Sequence, residues 1–78
     1  MIDATRIREH MEVIGSDGKH VGRVDHVLGE DIELSKMDLG AGLKHHLIPV
    51  SWVDFVDDDK VRLNLDSDAA KSSRREKH

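Results

Sequence analysis

The chain has 78 residues, no cysteine, 36% charged residues and a net charge of −4. This is one domain, near the lower size at which a core holds without staples, and disulfide or thiolate chemistry is excluded. Only Trp52 and Phe55 are aromatic, too few for a platform that stacks single-stranded nucleic acid.

Charge is uneven. Residues 1–65 hold eight Lys/Arg against thirteen Asp/Glu, whereas residues 66–78 hold four against three. The expected folded part is acidic and repels nucleic-acid backbones. No apolar stretch approaches the roughly 20 residues of a membrane span, and residues 1–15 lack the apolar block of a signal peptide. A cytoplasmic protein without membrane contact is expected.

In chain order, Ile2–Ile7 reads as a helical turn with Asp3 as N-cap and Ile2 and Ile7 as a hydrophobic staple. The first strong signal follows: Gly15-Ser16-Asp17-Gly18-Lys19-His20-Val21-Gly22-Arg23-Val24. Asp-Gly between apolar segments predicts a hairpin, because the tight turn needs positive φ. With Asp17-Gly18 as a two-residue loop, Val13 faces Gly22 and Met11 faces Val24. On the other face Ile14 meets Val21, Glu12 meets Arg23 and His10 meets Asp25, so opposite charges stand opposite each other. Val24 and Val27 are three apart, which breaks the alternation and predicts a bulge or bend beyond Asp25.

Gly29-Glu30-Asp31 turns into a third strand, with Ile32 and Leu34 on one face and Glu33 and Ser35 on the other. Met37–Lys44, with Gly40 and Gly42, reads as the longest loop. His46–Val50 is apolar on both faces, and Pro49 marks it as an edge or an element end. Ser51–Asp54 fits a short capped turn, Asp57–Lys60 a reversal, and Val61–Leu65 the last strand. Residues 66–78 read as a polar, disordered tail. Short strands at near-regular spacing predict a mainly all-β fold, a small antiparallel barrel over residues 1–65.

Three segments carry a likeness: Gly15–Val24, Ile48-Pro49-Val50-Ser51-Trp52-Val53, and the closing Asp59-Lys60-Val61-Arg62-Leu63. Together they resemble the PRC-barrel superfamily. With Glu12-Val13-Ile14-Gly15 leading in and His45-His46 before the proline, the chain looks closer still to a family of small bacterial proteins of unknown function. The resemblance spans roughly residues 7–65 and rests on turns and core positions. It implies a PRC-barrel-like fold, and superfamily members of known role act by binding other proteins.

No constellation in the sequence points to catalysis. Gly15, Gly18 and Gly22 do not match a phosphate-cradling loop, and there is no nucleophile elbow. Asp57-Asp58-Asp59 lacks the alternating ligands of a calcium loop and reads as a turn. Six histidines invite a metal reading, but the adjacent His45 and His46 face opposite sides of a strand, and His20 and His26 are far apart on an extended one. No catalytic residue, metal ligand or cofactor is therefore assigned.

Trp52 is expected to close one end of the core. The expected function is a non-catalytic protein-interaction module. Its candidate surface joins the glycine-rich loop and the charged hairpin face: His10, Glu12, Arg23, Asp25, Gly40, Gly42, Lys44, His45 and His46. The partner is an unidentified protein, with homodimerisation through an edge strand as the expected self-association. Two alternative readings remain: RNA or ribosome association through the basic end at 71–78, and a histidine-based response to metal.

Overall fold

A computed structural model describes residues 6–35, 45–57 and 59–76. The expected N-cap at Asp3 and the loop carrying Gly40, Gly42 and Lys44 lie outside the described residues.

The predicted hairpin forms from β1 (Glu12–Ile14) and β2 (His20–Leu28). Glu12 pairs with Arg23 and Val13 with Gly22, in the expected register. The loop is one residue longer than expected. The Gly18 amide donates to the Gly15 carbonyl and the Gly15 amide to the Lys19 carbonyl, each over 2.9 Å. Gly18 takes the left-handed φ of 78°, so the turn is Ser16-Asp17-Gly18, a three-residue loop ending in a left-handed glycine. Ile14 consequently pairs with His20 rather than Val21, and a bulge restores the register at Val13.

Two-residue Gly29-Glu30 then links β2 to β3 (Asp31–Leu34), with Gly29 at φ 64°. β4 (His46–Pro49) pairs antiparallel with β3. A 3-10 turn (Val50–Trp52) leads directly into β5 (Val53–Val56), which folds back on β6 (Lys60–Leu63). β6 lies parallel to β1, with Val13 beside Val61.

The sheet order is β5-β6-β1-β2-β3-β4-β7. It corrects the expected antiparallel barrel in two ways. One pairing is parallel, because residues 15–59 form a long crossover between β1 and β6, the kind of connection parallel strands require. The sheet is also open, since β4 and β5 do not pair. Yet Ile48 of β4 and Val53 of β5 share one buried cluster with Val13, Val21, Val24, Ile32, Leu34, Val61 and Leu63. The sheet therefore curls around a single core. Each such side chain contributes about 1.5–3 kcal/mol on burial. Trp52 is half-buried and packs on this core.

The expected disordered tail is a further correction. Ser67–Ser73 form α1, and Arg75–Glu76 form β7 on the outer edge of β4. A seven-residue helix is marginal alone, so tertiary contacts must hold it. Asp66 caps it, accepting from the Ala69 amide at 2.7 Å, and Ala70 is fully buried. The hairpin tip supplies the anchor: Asp17 accepts from the Ser67 amide (3.2 Å) and hydroxyl (3.0 Å). Gly15 lets the backbones close, since a Cβ there would lie 2.5 Å from the Ser67 amide nitrogen. Arg75 then reaches Asp31 at 2.6 Å.

Partial desolvation pushes the Asp17 carboxyl up. Hydrogen bonds from the Lys19 amide and from Ser67 outweigh this and hold it below its ordinary 3.8. A folded value below the unfolded one stabilises above the unfolded value, and that contribution is lost as pH falls through the folded value. Wild-type protein should thus lose melting temperature below about pH 4 more steeply than Asp17→Asn. Parallel acid titrations followed by circular dichroism check this; identical slopes would contradict the anchor.

Candidate functional site

The alternation of β2 fails where the sequence said it would. A bulge falls between Val24 and His26: Val24 pairs with Leu34 and His26 with Glu33, leaving Asp25 as the extra residue. Val24 and Val27 can then both turn to the core. Bulges re-aim side chains, and this one brings Asp25 beside His26 on the outer face of the sheet.

Glu33 lies on that same outer face, opposite Leu47 and His26. The expected half-exposed strand does not materialise there, because Glu33 is only 3% exposed. His45, at the entry to β4, is half-buried and leans toward it. The His45 Nδ1 lies 3.4 Å from Glu33 Oε1, 3.7 Å from Asp25 Oδ2 and 3.0 Å from the Leu34 carbonyl oxygen. Beyond Asp25 the chain of charges continues: His26 Nε2 is 4.0 Å from Asp25 Oδ2, and His26 Nδ1 is 3.6 Å from Glu9. Three acids and two imidazoles thus run from Glu9, ahead of β1, across β2 and β3 to the start of β4.

The hairpin-face residues are arranged differently. Glu12 faces Arg23 in register, but its carboxylate meets His20 at 2.8 Å and Lys60 at 3.9 Å. Arg23 instead donates to the His10 carbonyl at 3.0 Å. The expected His10–Asp25 pair does not form. His10 is exposed in a left-handed conformation, φ 71°, while Asp25 belongs to the His45 cluster.

His45 and His46 do face opposite sides, but this removes His46 from the candidate surface. It pairs with Leu34, points to the core side and is 6% exposed. Of the predicted residues, the structure brings together Asp25 and His45. It adds Glu33 and Glu9, which the sequence does not single out, and His26, which the sequence sets only against the distant His20. An acid at an alternate strand position looks like an ordinary solvent-facing residue. Only the register of β2, β3 and β4 reveals its neighbours.

Residues 7–71 match a family described as an uncharacterized protein conserved in bacteria (DUF2171). The chain belongs to that family. No curated protein matches it. The DUF2171 match runs past β6 and through most of α1, so most of the docked helix falls within the family's matched region. Among the described residues, no helix is long and apolar enough to cross a membrane.

Glu33 is 3% exposed and its Oε1 lies 3.4 Å from His45 Nδ1. Replacing a whole buried ion pair with apolar residues of similar volume is often neutral or stabilising, whereas removing one partner is destabilising by about 3–5 kcal/mol. Glu33→Met alone should therefore lower the unfolding free energy, by up to about 3–5 kcal/mol, in urea titrations at neutral pH. An unchanged or raised value would contradict a paired role for Glu33.

Proposed function

We propose that this DUF2171 chain is a non-catalytic protein-interaction module that works through β5, whose outer edge has no strand partner among the described residues. The observation that carries this is the setting of Phe55. A bulge between Val53 and Phe55 makes Asp54 the extra residue. Val53 and Val56 turn toward the core while Phe55 turns outward, 45% exposed. The Arg62 guanidinium lies over its ring at 5.8 Å. Aromatic and arginine side chains dominate binding hot spots, and an unpaired edge offers backbone groups for strand addition.

The occupant is a second copy of the chain. An edge strand is self-complementary about a two-fold axis, and the exposed acids Asp54 and Asp57 of one copy offer charge to Arg62 of the other. The PRC-barrel likeness, whose members of known role bind proteins, points the same way. RNA association draws less support, because Arg75 of the basic end is engaged by Asp31 and by the pairing of β7.

Sedimentation equilibrium over a concentration series tests this. Wild-type protein should show a concentration-dependent dimer, and Phe55→Ser should remain monomeric, melting as the wild type does at concentrations too low for the wild type to dimerise. A wild-type monomer at all concentrations, or a dimer that survives Phe55→Ser, would overturn it.

A further inference from the structure

The cluster on the opposite flank of the sheet offers a chemistry that the interaction reading does not use. One ligand atom each from Asp25, Glu33 and His45 lie within 4.8 Å of one another. We propose that these three residues form a binding site for a divalent transition-metal ion of the Zn2+ or Mn2+ type.

Spacing is the first argument. Metal–ligand bonds of about 2.1 Å at tetrahedral angles put ligand atoms about 3.4 Å apart. The His45 Nδ1 stands 3.4 Å from Glu33 Oε1 and 3.7 Å from Asp25 Oδ2, so small side-chain shifts bring all three onto one ion. The Leu34 carbonyl, 3.0 Å from the same nitrogen, is placed to accept a hydrogen bond from it while no ion is bound, or to join as a fourth ligand.

Charge is the second argument. Two carboxylates, one of them 97% removed from solvent by the 3% exposure of Glu33, face one imidazole. A divalent ion matches two carboxylates in charge. The donor set is the third. One imidazole with two carboxylates suits Zn2+ or Mn2+ better than Ca2+ or Mg2+, which favour all-oxygen surroundings. Glu9 and His26 lie on the solvent side of Asp25, and they add a third acid and a second imidazole at the mouth of the site.

The architecture explains why these residues can converge. β3 supplies Glu33 from the middle of three paired strands, the β2 bulge turns Asp25 toward it, and His45 enters at the head of β4. Ligands on paired strands are held more firmly than ligands on one loop.

The test is calorimetric titration of chelator-washed full-length protein with ZnCl2 or MnCl2 alone, at mildly alkaline pH, alongside melting curves. One ion per chain should bind, with a melting temperature that rises with ion concentration. Loss of a metal's outer supports alone costs about 10–100-fold in affinity, so loss of a ligand in His45→Gln or Glu33→Gln should weaken binding by more than about 100-fold. His10→Gln, which alters an exposed histidine elsewhere, should bind as wild type does. Should Glu33→Gln not fold, the half-exposed Asp25→Asn carries the same expectation. Absence of saturable binding, or binding indifferent to both Asp25→Asn and His45→Gln, would overturn the site.

Discussion

Only three residues separate the end of β4 from the start of β5, yet these strands stand at opposite ends of six paired ones. Laid flat, strands about 4.8 Å apart would place them about 24 Å from each other. The link from Pro49 to Val53 spans at most about 14 Å at full extension. The sheet must curl until its ends approach. That curl wraps the apolar sides of β1 to β6 around one core, which Ile7, Met11 and Ala70 of α1 complete. The seam is closed by covalent connection and by packing rather than by a seventh pairing. Two edges therefore survive, and they meet different fates. The β4 edge is covered by β7, whereas β5 carries Phe55 into solvent.

Bulges convert this small frame into one with chemistry on its surface. An extra residue in a strand moves everything beyond it to the opposite face. At β2 the shift retains Val27 for the core and delivers Asp25 to Glu33 and His45. At β5 it retains Val56 and delivers Phe55 outward. Both candidate surfaces arise from the same device, a register error that the core tolerates because a valine remains available one step later. The C-terminal helix is held by a third local exception, the approach of Gly15 and Asp17 to Ser67.

Local signals were legible in the sequence and distant ones were not. The Asp-Gly turn and the Glu12–Arg23 and Val13–Gly22 pairs could be read because hairpin partners are near in sequence. The break after Val24 could be read because the spacing of valines betrays it. The parallel neighbour of β1 could not, since it lies more than forty residues away along the chain. Nor could the helix in the polar end: Ser67 and Ala70 have no strong apolar pattern, and what orders them is a carboxylate fifty residues earlier. The candidate site was half legible. Asp25 and His45 stood out by type, but Glu33 alternates as a surface residue would, and His46 resembles His45 in every respect except the face it takes.

In the proposed metal site, the curled, bulged sheet brings Asp25, Glu33 and His45 to one point. Crystals grown with MnCl2, with data collected for anomalous scattering of manganese, address that point directly. A single strong anomalous peak is expected within bonding distance of all three side chains. A map without a peak there, or with peaks only at exposed carboxylates elsewhere, would contradict it.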